Sequence, residues 1–163
     1  MDDHDFMGEA LTLAREALND GEVPVGCVIT RGREIVGRGR NRREKGKSAL
    51  AHAEIEAIAE ACRALGGWRL WECTLYVTLE PCPMCAGAIV NARIPRVVYG
   101  AADPKSGAVS SVCSLFSMGF HHHPQVESGL RAEEAGALLT LFFQQLRLEL
   151  RTRPRWKRPG ASI

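Results

Sequence analysis

The sequence predicts an α/β protein in which a single sheet is covered by helices on both faces. Apolar residues recur at helical spacing in several segments, and strand-like segments lie between those helices. Such alternation of helices and strands is typical of a sheet sandwiched between two helical layers. The length of 163 residues suits one core. We therefore expect one domain at residues 1–150 and a tail at 151–163.

The first half of the chain predicts a helix, a two-stranded hairpin and a second helix. The first helix carries apolar residues on one face and ends at Asn19-Asp20-Gly21, and a turn at Arg31-Gly32 joins the two strands. Gly66-Gly67 ends the second helix. The predicted elements are a helix at 5–19, a strand at 23–29, a strand at 34–40, a polar and basic loop at 41–50 and a helix at 52–65.

The second half predicts two strands and two helices around one unassigned segment. Residues 73–79 are β-branched and apolar, which favours a strand, while Pro81 and Pro83 mark a break and a helix start. Residues 102–130 are rich in Gly, Ser and His and follow no clear period. The predicted elements are a strand at 73–79, a helix from 83 to about 92, a short strand at 96–99 and a helix at 131–150.

The charge of the chain is unevenly distributed. Its 21 Lys and Arg and 19 Asp and Glu give a net charge of +2. From Arg147 to the end, however, there are six basic residues and one acidic residue. The small total argues against an obvious nucleic-acid binder, whereas the basic end is typical either of contact with polyanions or of a solvated terminus. We expect this tail to be flexible, with Trp156 available to stack on a base.

The start of the chain and its cysteines indicate a cytoplasmic protein. The acidic run from Met1 to Asp5 is unlike a signal peptide, and no apolar run approaches the roughly 18 residues of a membrane span. In a reducing compartment the six cysteines are read as core thiols or metal ligands. Only Cys82 and Cys85 are close enough in sequence to chelate one ion as a pair.

Two short motifs carry the candidate chemistry, and each lies where a helix is predicted to begin. They are His52-Ala53-Glu54 and Pro81-Cys82-Pro83-Met84-Cys85. The Cys-x-x-Cys spacing brings two sulfurs to one point, and His52 can add a third ligand. Three protein ligands and one open position make a catalytic zinc site, whereas a structural site uses four. The structural alternative would take Cys62 or Cys73 as its fourth ligand.

Glu54 is the candidate proton carrier beside this metal. Zinc lowers the pKa of a bound water to about 7, and a nearby carboxylate can take the proton and return it to the substrate. Residues two apart point in nearly opposite directions on a regular helix, so His52 and Glu54 converge only if the helix starts at this point. The combined pattern H-x-E…P-C-x-x-C is the known signature of zinc nucleobase deaminases.

The chain resembles the bacterial tRNA-specific adenosine deaminases of the cytidine-deaminase-like superfamily. The similarity covers about residues 6–150 and is densest at Gly21–Gly26, at His52–Ile55 and from Trp68 to Gly100, including the run from Leu75 to Ile89. The resemblance implies a three-layer α/β/α sandwich with a five-stranded mixed sheet, usually as a homodimer. It implies one Zn²⁺ per chain, held by His52, Cys82 and Cys85, and no nucleotide cofactor.

The resemblance also implies a reaction and a set of substrate contacts. Hydroxide attacks C6 of adenine while Glu54 moves protons, so that adenosine becomes inosine at the wobble position (34) of a tRNA anticodon stem-loop. Asn41 and the backbone of Ala53 would contact the flipped base, and Asp103 and Lys105 its ribose and phosphates. The full set of substrate-binding residues expected is Asn41, Val25, Ala53, Leu79, Pro81, Asp103, Lys105 and Phe143.

Some segments depart from the family pattern, and these segments should touch RNA. Ser48-Ala49-Leu50-Ala51 replaces Asp-Pro-Thr-Ala, and the three histidines at 121–123 replace an Asn-His-Arg stretch and are expected to form a polar surface loop. These departures motivate a second hypothesis, a small-molecule deaminase acting on guanine, cytosine or a related base or nucleoside. A third is a zinc-stabilised RNA-binding module without activity, which the presence of Glu54 disfavours.

Overall fold

The computed structural model describes residues 1–154 of the chain. Four helices and five strands alternate in it, with a short 3₁₀ helix at Leu115–Ser117. The elements in chain order are α1 (Asp3–Asn19), β1 (Gly26–Arg31), β2 (Glu34–Arg40), α2 (Ala53–Leu65), β3 (Cys73–Leu79), α3 (Pro83–Ala92), β4 (Arg96–Ala101), β5 (Gln125–Ser128) and α4 (Ala132–Thr152).

The five strands form one mixed sheet in the order β2-β1-β3-β4-β5. β1 is antiparallel to both β2 and β3, whereas β3, β4 and β5 run parallel to one another. The expected five-stranded mixed sheet is therefore confirmed. A parallel pair needs a crossover connection, and α3 supplies it between β3 and β4.

Helices cover both faces of the sheet, as the alternation of elements predicts. α1 and α4 lie on one face, with Phe6 and Ala135 packed around Tyr76 and Val98. α2 and α3 lie on the other. Successive strand residues face opposite layers, so that Leu75 and Val77 belong to the α2/α3 core while Tyr76 belongs to the α1/α4 core. Burial on both faces explains why most residues of β1, β3 and β4 are apolar rather than alternating with polar ones.

α2 packs unusually close to strand β2. A Cβ added at Gly39 would lie 2.0 Å from the carbonyl oxygen of Ala53, so a side chain there would push the start of α2 away from the sheet. Glycine at this position therefore lets the first turn of α2 approach the backbone of β2. The consequence is functional as well as structural, because that turn carries His52 and Glu54.

The first strand begins three residues later than the alternation of apolar residues predicts. β1 starts at Gly26, and Val23 and Val25 precede it. Pro24 lies between them and has no N–H to give to a sheet ladder, while Val25 N–H bonds back to the carbonyl oxygen of Val23. These two valines are thereby freed from the sheet.

The unassigned segment at 102–130 contains strand β5 and two histidines that hydrogen-bond to backbone carbonyl groups. β5 is a four-residue edge strand whose residues are all exposed. His122 Nε2 lies 2.7 Å from the carbonyl oxygen of Ile94, and His123 Nδ1 lies 2.7 Å from that of Phe116, so both rings donate hydrogen bonds that hold this segment. Two histidines of the polar surface loop predicted at 121–123 therefore attach this loop to the backbone of neighbouring segments.

An ion-pair cluster ties the N-terminus of α1 to the sheet. Arg96 Nη2 lies 2.6 Å from Asp3 Oδ2, Tyr76 donates its hydroxyl to Asp3, and Arg96 also pairs with Glu127. The hydrogen bond from Arg96 is the main cause that lowers the pKa of Asp3 to about 2. Burial and the bond to Asp3 raise the pKa of Tyr76 to about 12.

The end of α4 extends past the predicted domain boundary. The helix runs to Thr152, and beyond Ala135 its side chains are partly or fully exposed. Most of the predicted basic tail, including Trp156, falls in residues 155–163, which lie outside the described residues. Across residues 1–154, none of the helices is both long enough and apolar enough to cross a lipid bilayer.

Candidate active site

Two helix N-termini meet at the candidate metal site. His52 is the N-cap of α2 and Cys82 the N-cap of α3, both with extended backbone, and Pro83 occupies the first turn of α3. Both predicted helix starts are confirmed. Because unpaired N–H groups give a helix N-terminus partial positive charge, both ends favour an anionic group between them.

The three candidate ligands lie at distances that fit zinc. His52 Nδ1 is 3.7 Å from Cys82 Sγ and 3.6 Å from Cys85 Sγ. Zinc bond lengths of about 2.05 Å to nitrogen and 2.3 Å to sulfur at tetrahedral angles would separate those atoms by about 3.6 Å. Within residues 1–154 the metal-ligand group contains these three residues, and neither Cys62 nor Cys73 joins it. The donor set therefore matches a three-ligand site rather than a four-ligand structural one.

The pKa values of the two cysteine thiols shift in opposite directions in the metal-free protein. A hydrogen bond from Cys85, together with one from His52, lowers the pKa of Cys82 to about 4 despite partial burial. The same bond and the burial of Cys85 raise the pKa of its thiol well above the usual range. The partnership with Cys82 also raises the pKa of His52. The lowered pKa of Cys82 favours its thiolate, which is the form that ligates zinc.

Glu54 lies beside the ligands in the first turn of α2 and is 4% exposed. Since α2 begins at Ala53, the extended backbone of His52 turns its ring to the side on which Glu54 points, as the sequence requires. Burial is the main cause that raises the pKa of Glu54 to about 7, and the Cys82 thiolate adds to it. A carboxyl group with this pKa can both accept and return a proton at neutral pH.

These groups open into a cleft of about 790 Å³. Its walls come from the loop before β1, the start of α2, the end of β3, the segment after β4 and one face of α4. The lining residues are Val23, Val25, Asn41, Arg43, His52, Ala53, Glu54, Leu79, Glu80, Cys82, Ala102, Asp103, Pro104, Lys105, Ser106, Leu139, Thr140, Phe143 and Arg147. A second cavity of about 440 Å³ lies between α1, β2 and α2 and is lined chiefly by arginines and glutamates, away from the metal ligands.

Asn41 is fixed in the cleft wall by its own hydrogen bonds. Its Nδ2 donates to the carbonyl oxygen of Val23, and its Oδ1 accepts from the N–H of Arg43. These partners determine which side of the amide is oxygen. One N–H and one oxygen lone pair remain for a ligand. Asn41 therefore combines the role of a turn residue with the capacity for a further contact.

Asp103 and Lys105 lie on the opposite wall, directly after β4. Asp103 Oδ1 accepts hydrogen bonds from the N–H groups of Lys105 and Ser106, at 3.1 and 3.2 Å. One carboxylate oxygen therefore holds the turn. The other oxygen makes no hydrogen bond within the described residues, and the Lys105 side chain is exposed at the rim.

Seven of the eight predicted substrate-binding residues line this cleft together with Glu54 and two ligands. Val25 and Ala53 are buried and Leu79 is partly buried, while Phe143 is 44% exposed on α4. Pro81 is the exception. Pro81 is buried beside the cleft, and its carbonyl oxygen accepts a hydrogen bond from Ala108 N–H. Within residues 1–154 it is not one of the residues that line the cleft.

The structure adds cleft residues that sequence reasoning did not identify. Arg43 and Arg147 bring two cations to the cleft, and Glu80 lies in its floor. Arg43 belongs to the basic loop at 41–50, and Arg147 is the first basic residue of the positive C-terminal segment, so charge patterning was a usable signal for both. For Glu80 the only signal was its place two residues before Cys82.

Comparison with known proteins assigns the chain to a family. A family model described as MafB19-like deaminase matches residues 1–147. A tRNA-specific adenosine deaminase of Bacillus subtilis (strain 168) is 49% identical over 143 residues, covering 87% of this chain and 89% of its own length. A guanine deaminase structure from the same species is more distant, at 30% identity and a TM-score of 0.59 over all of this chain and 85% of its own.

A solved structure from work on A-to-I editing by tRNA:A34 deaminases at the wobble position of transfer RNA is 48% identical. It superimposes with a TM-score of 0.81 and covers 83% of this chain and 99% of its own. The family model, the sequence relative and this structural match all name deaminases. The group of His52, Cys82 and Cys85 could hold the metal ion that such chemistry would use. The chain therefore belongs to the MafB19-like deaminases and to the family of the tRNA-specific adenosine deaminases.

Proposed function

We propose that this protein converts adenosine to inosine at the wobble position (34) of tRNA anticodons by hydrolytic deamination. The observation that carries this proposal is the cleft itself, which is lined by two of the three candidate metal ligands and a buried carboxylate. The chain that forms it is 49% identical to a tRNA-specific adenosine deaminase. The reaction adds one water and releases one ammonia. Residues 1–150 would form the single zinc-dependent deaminase domain.

One Zn²⁺ per chain is the proposed cofactor, held by His52 Nδ1, Cys82 Sγ and Cys85 Sγ. Support comes from the ligand spacing and from the lowered pKa of the Cys82 thiol. Bound there, zinc would lower the pKa of water so that a nucleophile exists at neutral pH. The cluster contributes three ligands, which leaves room for water and substrate.

Glu54 is the proposed proton carrier. Its carboxylate takes a proton from the attacking water, and its acid form gives a proton to the amino nitrogen leaving C6 of adenine. In the metal-free protein burial raises the pKa of Glu54 above that of an ordinary carboxyl group, which moves it towards the range in which one group can both accept and return a proton. Burial on the inner wall of the cleft also keeps bulk water from replacing Glu54 as the proton acceptor.

The walls are proposed to hold a single flipped nucleotide. The free N–H and lone pair of Asn41 and the backbone at Ala53 would bind the base, with Val25 and Leu79 against its faces. Lys105, Asp103 and Phe143 would contact the sugar and flanking nucleotides. RNA is read in this way when loop bases are splayed out and stacked on protein side chains.

We also propose that the protein works as a homodimer in the cytoplasm. Support comes from the family resemblance and from Val112, Met118 and Phe120, three apolar side chains that are 47–61% exposed in one segment. Light scattering should give twice the 17.9 kDa of one chain. A monomeric mass at assay concentrations would contradict this part of the proposal.

The substrate is tested by competition between two classes. The protein is incubated with an anticodon stem-loop carrying adenosine at the wobble position, in parallel with free adenosine, guanine, cytosine and their nucleosides. We expect inosine in the stem-loop and little ammonia from the small molecules. Ammonia released from guanine or another free base, with no inosine in the RNA, would replace this proposal with a small-molecule deaminase, the function of the more distant structural relative.

A further inference from the structure

Glu80 is a buried carboxylate that the proposed chemistry does not use. It follows β3 directly, two residues before Cys82, and is 2% exposed. Its backbone N–H donates to the carbonyl oxygen of Ala101, so the end of β3 is fixed against the end of β4. The side chain then points into the segment that follows β4.

Five donors of one downstream segment converge on this carboxylate. Glu80 Oε1 accepts from the N–H of Asp103 at 3.2 Å and from the hydroxyl of Ser111. Its Oε2 accepts from the N–H groups of Val109, Ser110 and Ser111 at 3.3, 3.0 and 3.0 Å. None of these partners is a cation, so an anion here is stabilised by oriented N–H and O–H dipoles alone.

The segment after β4 packs tightly around the carboxylate of Glu80. A Cβ added at Gly107 would lie 2.2 Å from Glu80 Oε2. Ala108 N–H donates to the carbonyl oxygen of Pro81, which fastens the segment a second time beside the first metal-ligating cysteine. We call residues 103–111 the anchored segment.

The anchored segment carries the cleft wall opposite Asn41. Asp103, whose N–H is held by Glu80, in turn accepts from Lys105 N–H, and Gly107 N–H donates to the Asp103 carbonyl oxygen. A continuous series of hydrogen bonds therefore runs from Glu80 to the residues that line the cleft. The metal ligands are outside this series, since they are placed by α2 and α3.

We propose that Glu80 is a positioning residue for the substrate, whose carboxylate holds the anchored segment so that the wall bearing Asp103 and Lys105 is formed before RNA binds. This inference rests on the proposed function, because it concerns how the same cleft binds its RNA. A preformed wall saves the entropy of ordering a loop during binding, so its loss should appear in substrate affinity rather than in the chemical step.

The test is the isosteric variant Glu80→Gln. All five partners of Glu80 donate hydrogen bonds to its two carboxylate oxygens. Glutamine replaces one of these oxygens with an NH₂ group, which cannot accept, so the hydrogen bonds to that oxygen are lost. For the wobble-adenosine stem-loop we expect KM to rise about tenfold or more, with kcat within about threefold and metal content unchanged. Hydrogen exchange at the amides of Val109, Ser110 and Ser111 should accelerate.

Three further variants make the result specific. Gly107→Ala pushes the anchored segment away from Glu80 from the other side and should raise KM in the same way. Ser111→Ala removes one donor of five and should have a smaller effect. Glu9→Gln, an exposed glutamate on α1, is the matched control and should leave KM and exchange unchanged.

Each contrary outcome has its own meaning. If KM is unchanged while the amides exchange faster in Glu80→Gln, the anchored segment does not bind substrate and the inference fails. If kcat and metal content fall together, Glu80 supports the metal site instead, which also overturns it. If Glu80→Gln does not fold, Gly107→Ala and Ser111→Ala decide between the same outcomes. A wild-type protein that makes no inosine in RNA refutes the proposed function, whereas the exchange measurements still test the anchoring.

Discussion

The carboxylate of Glu54 is the group whose removal should separate chemistry from metal binding. Glu54→Gln keeps the size of the side chain and removes its ability to carry a proton. The cleft offers no replacement among its described residues, because Glu80 is bound by five donors and Asp103 holds its own turn. We therefore expect the full contribution of general acid–base catalysis to be lost, a fall in kcat of about 10²–10⁴-fold.

The same variant should change stability in a defined direction. Burial raises the pKa of Glu54 from 4.5 to about 7, and each pKa unit corresponds to about 1.4 kcal/mol, so ionisation of Glu54 opposes folding of the metal-free protein by up to about 3 kcal/mol. A raised carboxyl pKa means that this penalty is absent below about pH 4.5, grows as pH rises from there towards 7, and is fully present above pH 7. Metal-free Glu54→Gln should thus be more stable than metal-free wild type at pH 8 and equally stable near pH 4.

Three measurements test the predicted loss of activity, the retention of zinc and the change in stability. Single-turnover deamination of the stem-loop gives the chemical rate, and elemental analysis of the same preparations gives zinc per chain. Urea unfolding of the chelated proteins at the two pH values gives the stability difference. A Glu54→Gln protein that retains zinc and turns over at more than about a tenth of the wild-type rate would refute the role of Glu54.

Three other predictions concern the metal, the ion-pair cluster and the rim of the cleft. Cys82→Ala should lose both bound zinc and activity, whereas Cys62→Ala, outside the ligand group, should keep both; zinc retained in the first variant would contradict the ligand assignment. Asp3→Asn should lower the free energy of unfolding at neutral pH by under about 1 kcal/mol, because the Asp3 side chain is 44% exposed. Since the pKa of Asp3 is lowered from 3.8 to about 2, its contribution to stability is present above pH 4 and is lost as pH falls through 2. A stability difference between Asp3→Asn and wild type that is the same at neutral pH and at pH 2 would contradict this prediction. Lys105→Ala should weaken RNA binding and reduce the slope of log K against log salt by about 1, and an unchanged slope would remove Lys105 from the phosphate contacts.

The three candidate metal ligands could be grouped from the sequence because their signals are local. Cys82 and Cys85 are three residues apart, and Pro83 and the extended residue before it define a helix start. His52 and Glu54 depend on a second helix start, which the loop ahead of it indicates. Each motif can therefore be placed at a helix start from the local sequence alone. That the two helix starts lie next to each other can be seen only in the folded structure.

The strand edges and the cleft walls could not be predicted in the same way. β5 has one apolar residue in four and is exposed throughout, so neither periodicity nor burial marks it. The start of β1 at Gly26 depends on Pro24 and on the close approach of α1. A Cβ added at Gly26 would lie only 1.9 Å from the carbonyl oxygen of Ala10 in α1. Resemblance to a family, rather than any pattern in the chain, supplied the fifth strand.

Long-range contacts account for what was missed in the site itself. The donors to Glu80 come from 23 to 31 residues downstream, inside a segment with no regular period. Pro81 could be placed beside the cleft from sequence but not assigned to a wall, because the Ala108 contact that covers it is equally distant. Such arrangements depend on packing between elements, which spacing along the chain does not encode.

The most direct test of the account is deamination of a wobble-adenosine stem-loop in water enriched in oxygen-18. The zinc-loaded wild-type protein should yield inosine at position 34 with one heavy oxygen, while a stem-loop with adenosine elsewhere in the loop remains unchanged. That result would join hydrolysis, substrate and position in one measurement. Loss of ammonia from free bases without any labelled inosine in the RNA would contradict the central claim that this cleft edits the tRNA anticodon.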